Sequence, residues 1–248
     1  MQDMSRTDFI KVVTENLPTP PAYFFKDAKI NVEGYDSYET TIEHSSNALS
    51  TSQFQQQIKE GAIILDDRSA NEFVAGFIPN SINIGLDDGF AVFVGSLILF
   101  NTPLILISPV GQEQESLIRL ARIGYDNIKG HLKGGIDSWK KQNLSLDSIT
   151  CIEAGELENY IKTGEYTLVD VRNKSEGIAT GKLKNSLSIS LDEIQNELSK
   201  FSKNEAYILY CAGGYRSMIA AFILKRAGIK NVFSVAGRIK KIKEEVAV

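Results

Sequence analysis

The sequence predicts an α/β protein made of two similar domains, each a central, mostly parallel sheet with helices on both faces. Three observations lead to this prediction. The chain has 248 residues, more than the roughly 100–200 residues of a typical single domain. Short apolar runs of strand length alternate with stretches of helical character, which is the order that parallel sheets require. The two halves of the chain also resemble one another.

The internal repeat has a period on the order of 100 residues, a spacing typical of duplicated domains rather than of solenoid units. Three pairs of segments define it: "AIILDDRSANEF" at 62–73 with "YTLVDVRNKSEG" at 166–177, "TPLILISP" at 102–109 with "EAYILYCA" at 205–212, and "SLIRLARIGYDNI" at 116–128 with "AAFILKRAGIKNV" at 220–232. We therefore predict a first domain at 48–142 and a second at 150–248. Residues 143–150 form the linker, and residues 1–47 form an N-terminal extension that is irregular over 18–47.

The elements of the second half follow from the pattern in order. We predict a helix at 154–163, strands at 166–171, 186–190 and 206–211, and a helix at about 217–227. The runs "TLVDV" and "AYILY" are apolar at nearly every position. Such strands are covered on both faces and lie in the middle of a parallel sheet.

Composition excludes several classes of function. With 43% hydrophobic residues and a net charge of -4, the chain is an ordinary globular protein with no electrostatic reason to bind nucleic acid or an anionic membrane. The N-terminus carries no secretory pattern, so we expect a cytoplasmic location. The longest apolar run, at 89–100, has twelve residues and is shorter than the roughly 20 that span a bilayer. Two cysteines and two histidines suggest neither a disulfide framework nor a metal site, and we expect no cofactor.

The segment "YCAGGYRS" at 210–217 is the candidate site. Cys211 follows a buried strand and precedes a helix, and ligands of open α/β sheets bind at that end of the strands. The small residues Ala212, Gly213 and Gly214 let the backbone curl so that several N–H groups point at one spot. Together with the helix N-terminus, these groups favour a charged, nucleophilic thiolate and its persulfide.

The remaining residues of the segment complete the predicted site. Cys211 is the predicted catalytic residue, and Ala212, Gly213, Gly214, Tyr215, Arg216 and Ser217 are the predicted substrate-binding residues. Arg216 can hold an oxyanion through its planar fork. The alternative is that Cys211 only fills the core, as most cysteines do, but the strand, the glycine turn and the arginine together favour function.

Other candidates are weaker. Cys151 lacks this context and is interpreted as structural or incidental. Asp170 and Arg172, with Glu176 nearby, are interpreted mainly as framework residues. Arg238 could assist an anion, but it begins a basic run that is typical of a solvated helix face.

Residues 211–217 resemble the active loop of rhodaneses, the thiosulfate sulfurtransferase superfamily, with cysteine and arginine five positions apart. The segments "LVDVR" at 168–172 and "NVFSVAGRI" at 231–239 resemble that family's framework. The resemblance implies sulfur transfer from thiosulfate or a low-molecular-weight persulfide to a thiol, sulfite or cyanide acceptor. Phosphatases with related loops have one more residue between cysteine and arginine, so the shorter loop favours sulfur over phosphate.

The whole chain resembles the C-terminal, two-rhodanese portion of bacterial persulfide dioxygenase/rhodanese fusions, through 15–24, 83–97 and 210–221. Those proteins also carry a metallo-β-lactamase domain with a histidine-rich metal motif, and we expect none here. The resemblance implies a role in sulfide detoxification, with a separate persulfide dioxygenase as a candidate partner.

The first repeat departs from the rhodanese pattern. Its equivalent loop, "LISPVGQEQE" at 106–115, has no cysteine or arginine and carries Glu113 and Glu115. We therefore predict that the first domain is catalytically inactive. A non-enzymatic scaffold that senses persulfide or docks a partner is the alternative function.

Overall fold

The computed structural model describes residues 4–15, 23–34, 45–86, 89–237 and 239–245. These residues form two five-stranded sheets. The strand order is 48–49, 128–132, 104–107, 63–66 and 82–83 in the first sheet and 150–152, 232–235, 206–210, 166–170 and 187–188 in the second. Every pairing within both sheets is parallel. The two sheets have the same order, because each domain repeats the same sequence of elements. The predicted fold class, two tandem α/β domains, is confirmed.

The first domain contains, in chain order, β1 (Ala48–Leu49), α3 (Thr51–Lys59), β2 (Ile63–Asp66), α4 (Ala70–Val74), β3 (Ile82–Asn83), α5 (Phe90–Leu97), β4 (Leu104–Ile107), α6 (Glu113–Arg122), β5 (Ile128–Leu132) and α7 (Gly135–Lys141). Every side chain of β4 is buried, as expected for a central strand covered on both faces. Helix α6 has acidic residues in its first turn and basic residues in its last, which complements the helix dipole.

The second domain contains β6 (Thr150–Ile152), a 3-10 turn (Ala154–Glu156), α8 (Leu157–Thr163), β7 (Tyr166–Asp170), α9 (Lys174–Thr180), β8 (Leu187–Ser188), a 3-10 turn (Leu198–Lys200), β9 (Ala206–Tyr210), α10 (Tyr215–Arg226), β10 (Val232–Val235) and α11 (Ile239–Glu245). The strand predicted at 186–190 is reduced to two residues. The helix predicted from Ser217 begins at Tyr215 instead, because Gly214 adopts a left-handed conformation with φ of 91° and serves as the N-cap.

The N-terminal extension is more regular than predicted. Helix α1 spans Arg6–Thr14, and its N-cap Ser5 accepts a hydrogen bond from the Asp8 N–H through its side chain. Helix α2 spans Tyr23–Glu33. The expectation that 18–47 is irregular was wrong for this part, because the prolines end at Pro21 and no proline or glycine interrupts 23–33. Helix α1 buries none of its side chains.

The apolar run at 89–100 forms α5, which buries Phe90, Val94 and Leu97 in the core. Within the described part of the chain, no helix has both the length and the apolar character that a membrane span needs.

An aspartate–arginine pair lies at the same place in each domain. Arg172 Nη2 lies 2.6 Å from Asp170 Oδ2, and Arg68 Nη2 lies 2.6 Å from Asp66 Oδ2, with all four side chains buried. Arg172 also donates to Gly181 O at 2.8 Å. Because a buried charge is tolerated only when it is paired and hydrogen-bonded, both pairs hold the loop after the strand in place. This agrees with the framework interpretation of Asp170 and Arg172.

The two domains share one apolar core cluster. Phe222, from α10 of the second domain, packs edge-on against Phe73 and Phe77 of the first, which stack on each other with centroids 4.1 Å apart. Gln195 Nε2 donates across the boundary to Leu97 O at 3.1 Å. Helix α10, which begins at the candidate loop, is therefore part of the domain interface.

Candidate active site

Cys211 lies immediately after β9, with 1% of its surface exposed. The Gly214 N–H donates to Cys211 Sγ at 3.1 Å, and Ser217 Oγ lies 3.6 Å from the same sulfur. Ser217 Oγ in turn donates to Gly214 O at 2.9 Å. A backbone amide and a hydroxyl therefore contact the sulfur directly.

The loop around the sulfur is fixed on both sides. On one side, Ser234 Oγ of β10 lies 2.9 Å from Ser217 Oγ. On the other, the Ile239 N–H at the start of α11 donates to Ala212 O at 3.1 Å. Behind the sulfur lies the N-terminus of the twelve-residue helix α10, whose N-cap glycine makes no side-chain cap. The N–H groups of the first helical turn and the helix dipole favour negative charge at this place.

A cavity of about 250 Å³ adjoins the loop between the two domains. Gly213, Gly214 and Tyr215 line it from the second domain, and Ala70, Asn71 and Val74 of α4 line it from the first. Gly213 is exposed, whereas Cys211 itself is buried. A small molecule in this cavity would therefore contact the backbone of the loop and both domains.

Arg216 does not present a free fork, contrary to the expectation that it would hold an oxyanion. Arg216 Nη1 lies 2.6 Å from Glu176 Oε2, and Arg216 Nη2 lies 2.9 Å from Glu176 Oε1. This hydrogen bonding raises the pKa of Arg216 and lowers the pKa of Glu176. The sequence offered one signal for Glu176: it stands three residues after Asn173, the spacing of a capping box, which the structure contains.

Tyr215 joins the loop to the first domain. Its ring packs against Phe93 with centroids 5.3 Å apart, and its hydroxyl donates to Gly85 O at 3.3 Å. Cys151 is exposed and lines the cavity from β6, where it lies opposite Ser234 in register. Arg238 lies outside the described residues.

The first domain has a different polar cluster at the equivalent position. Ser108 stands where the repeat places Cys211, and it donates to Asp67 Oδ2 at 2.9 Å. Ser108 Oγ also lies 3.1 Å from Ser116 Oγ. Asp67 is 1% exposed, and burial raises its pKa to about 8. Sequence reasoning missed Asp67, because its counterpart in the second repeat is the apolar Val171.

The predicted site residues take different places in the structure. Gly214 and Ser217 contact Cys211, Gly213 lines the cavity, Arg216 pairs with Glu176, and Tyr215 contacts the first domain. Across the residues that the structure describes, no three histidine, cysteine, aspartate or glutamate side chains are grouped so that they could hold a metal ion.

A family model described as a rhodanese-like domain matches the chain twice, at residues 50–142 and 153–245. The chain belongs to the rhodanese-like family. The predicted pair of tandem rhodanese-like domains is thereby confirmed, and each repeat of the sequence corresponds to one match.

Curated relatives include tRNA uridine(34) hydroxylases. The protein of this name from Prochlorococcus marinus is 32% identical over 117 residues, which are 42% of this chain and 37% of that protein. The one from Paraburkholderia phytofirmans is 26% identical over 201 residues, 75% of this chain and 66% of that protein. The chain therefore spans little more than a third of the first relative and just under two thirds of the second.

Solved structures are similar as well. The human single-domain sulfurtransferase TSTD1 is 21% identical and covers 41% of this chain and all of its own, with a TM-score of 0.37. SseA from Escherichia coli, described as a 3-mercaptopyruvate sulfotransferase with the rhodanese fold, is 16% identical and covers 77% of this chain and 98% of its own, with a TM-score of 0.35.

Proposed function

We propose that the protein is a sulfurtransferase that moves sulfane sulfur from a small donor to an acceptor through a persulfide on Cys211. The observation that carries this proposal is the hydrogen bond that the Gly214 N–H donates to Cys211 Sγ at 3.1 Å, with the Ser217 hydroxyl 3.6 Å from the same sulfur. These groups lie at the N-terminus of α10, where negative charge is favoured. Such a place suits both a thiolate and a persulfide anion.

The reaction has two half-reactions. The Cys211 thiolate attacks the outer sulfur of thiosulfate, a sulfur–sulfur bond forms, and sulfite leaves with the electron pair of the broken bond. With a low-molecular-weight persulfide, the leaving group is the parent thiolate. In the second half-reaction a thiol, sulfite or cyanide acceptor attacks the terminal sulfur, and Cys211 returns to its thiolate. No step requires a metal or an organic cofactor.

The surroundings of Cys211 support each step. The Gly214 N–H can donate to whichever sulfur carries the charge, and charge-assisted hydrogen bonds of this kind are the strong ones. Preorganised donors in a site closed to bulk water cost no rearrangement during the reaction. The adjoining cavity of about 250 Å³ offers room for a small donor or acceptor.

The first domain is proposed to be catalytically inactive. It has no thiol at the equivalent position, where Ser108 instead bonds to the carboxyl group of Asp67 at 2.9 Å. It contributes to the site through α4 and Gly85, which contact the loop or its cavity. A role in sulfide metabolism beside a separate persulfide dioxygenase remains part of the proposal.

The test is a pair of cysteine variants assayed with thiosulfate and with glutathione persulfide. Cys211→Ser should lose sulfur transfer with both donors while keeping the native circular dichroism spectrum. Cys151→Ser is the matched control, because Cys151 is the only other cysteine of the chain, and it should keep transfer. Retained transfer in Cys211→Ser would rule out the proposal.

A second candidate is modification of tRNA, which the shared name of the curated relatives favours. The net charge of -4 speaks against tight binding of a polyanion. Incubating the protein with tRNA, dioxygen as the oxidant and a thiol as the reductant, and then analysing position 34 by mass spectrometry, separates the two. A hydroxylated uridine that disappears in Cys211→Ser would favour the second candidate over sulfur transfer to small acceptors.

A further inference from the structure

The planar fork of Arg216 is already occupied. Both terminal nitrogens donate to Glu176, at 2.6 and 2.9 Å, in the bidentate geometry that an arginine would otherwise offer to an oxyanion. The contact is partly buried: Arg216 has 20% of its side chain exposed and Glu176 has 35%. Partial burial weakens the screening of this pair by solvent.

Glu176 is held at this place by a second contact. Its Oε2 accepts a hydrogen bond from the Asn173 N–H at 3.2 Å, as the partner of the capping box of α9. The carboxylate therefore caps one helix and pairs with the arginine of the candidate loop at the same time. The Glu176 carboxylate makes both contacts from a single position.

The charge balance of the loop depends on this pair. The segment from Ala212 to Tyr215 contains no charged side chain, so Arg216 is the loop's own cation and Glu176 offsets its charge. A thiosulfate ion carries two negative charges close to the sulfur that is attacked. A persulfide of a thiol carries at most one there, and it needs no oxyanion fork.

We propose that Glu176 determines the choice of donor: by engaging the fork of Arg216, it disfavours oxyanion donors such as thiosulfate and favours thiol persulfides. Glu176 acts through Arg216 and is thus a positioning residue. The inference rests on the proposed sulfur transfer at Cys211 and makes it more specific.

The first domain supplies a built-in control. Glu72 occupies the same position of its own capping box, where its carboxylate accepts from the Ser69 N–H at 3.1 Å. Among the described residues, no arginine forms an ion pair with Glu72. A substitution there changes helix capping in the same way but leaves the charge of the candidate loop unchanged.

The experiment compares specificity constants for thiosulfate and glutathione persulfide in the wild type, Glu176→Gln and Glu72→Gln. Glutamine keeps an oxygen for the capping bond but removes the charge. In Glu176→Gln the ratio of kcat/KM for thiosulfate to that for the persulfide should rise about tenfold, through a lower KM for thiosulfate, as expected for loss of one nearby charge. In Glu72→Gln the ratio should stay at the wild-type value. An unchanged or lower ratio in Glu176→Gln would overturn the inference.

Direct binding gives a readout that does not depend on turnover. Thiosulfate is titrated by calorimetry into Cys211→Ser with and without Glu176→Gln, and the Kd should fall about tenfold when the carboxylate is removed, with a steeper dependence on salt. An equal Kd in both proteins would contradict the role proposed for Glu176 but not the proposed sulfur transfer at Cys211. A wild-type protein that transfers sulfur from neither donor would overturn the proposed function as well.

Discussion

Cys211 and Ser108 occupy the same position in two copies of one fold, yet their neighbours differ in kind. The sulfur of Cys211 accepts a hydrogen bond from the Gly214 N–H, which can stabilise negative charge. The hydroxyl of Ser108 contacts the carboxyl group of Asp67, and Asp67 Oδ1 has no hydrogen-bond partner among the described residues. One position thus favours negative charge, whereas burial at the other raises the pKa of a carboxyl group.

The stability of the protein should depend on pH through Asp67. Its pKa is raised to about 8 by burial, against about 3.9 in an unfolded chain. Between these values the folded state binds a proton that the unfolded state has lost, so stability falls as pH rises through this window, by at most about 1.4 kcal/mol per pH unit. Asp67→Asn, which stays neutral, should remove this contribution.

The measurement is urea unfolding of wild type and Asp67→Asn from about pH 5 to about pH 8. As pH rises, the free energy of unfolding of the wild type should fall steadily relative to that of Asp67→Asn. Other titrating groups, such as His131, whose pKa is lowered by burial, are present in both proteins and cancel in the difference. A difference that does not vary with pH would show that Asp67 is ionised in the folded protein.

At the scale of single residues, the sequence predicted Cys211, named Glu176 only beside the framework pair Asp170 and Arg172, and missed Asp67. Cys211 was found because strand, glycines and helix are adjacent in the chain, so their geometry is local. Glu176 lies 40 residues from Arg216 in sequence, and Asp67 lies 41 residues from Ser108. Pairings over such distances depend on how the strands align, which a single sequence does not specify.

At the scale of elements, the turn between β9 and α10 brings the amide donor to the sulfur. Gly214 has a φ of 91°, a conformation that side chains with a Cβ rarely adopt. The sequence predicts a helix start at Ser217, two residues later than the observed start at Tyr215. The reason is that two successive glycines are typical of a loop, and the sequence does not show that the second one serves as the N-cap. The order of strands and helices was nevertheless predictable, because periodicity and burial determine it.

The two glycines of this turn should respond differently to alanine. A Cβ on Gly214 would meet no atom closer than 3.8 Å, so Gly214→Ala costs backbone strain rather than a clash. We expect about 1 kcal/mol less stability and reduced turnover, since the N–H that donates to Cys211 Sγ is displaced.

Gly213→Ala is the matched control, because Gly213 has no left-handed φ and no atom of the described residues lies within 4 Å of the added Cβ. It should keep wild-type stability in urea unfolding. An equal loss of stability and turnover in both variants would show that the left-handed conformation of Gly214 is not the cause of the loss.

At the scale of the whole molecule, the second domain builds its site against the first. Helix α10 begins at the candidate loop and carries Phe222 into the aromatic cluster of Phe73 and Phe77. Tyr215 and Gln195 add polar contacts across the same boundary. The duplication was visible in the sequence, but the interface was not, because its residues belong to different repeats.

Phe222→Ala should uncouple the unfolding of the two domains. Phe222 is 1% exposed, and truncation of a buried phenylalanine costs about 3–5 kcal/mol. Trp139, the only tryptophan of the chain, lies in the first domain, so its fluorescence follows that domain while circular dichroism follows both. We expect the two signals to coincide in the wild type and to separate in the variant.

Phe54→Ala is the control for this prediction, since Phe54 is fully buried in a cluster that belongs to the first domain alone. It should lower stability by a comparable amount but leave the contact between the two domains intact. Phe54→Ala should therefore keep more sulfur-transfer activity than Phe222→Ala when the two variants are assayed side by side. Signals that still coincide in Phe222→Ala would mean that the aromatic cluster does not couple the domains.

The most direct test of the account is mass spectrometry of the protein after brief exposure to glutathione persulfide. We expect the peptide that contains Cys211 to gain the mass of one sulfur atom, and to lose it on addition of sulfite or cyanide as thiosulfate or thiocyanate forms over many cycles. An adduct that forms once and is not discharged would indicate a sensor. A Cys211 peptide that never gains sulfur, or a gain on Cys151 instead, would contradict the central claim.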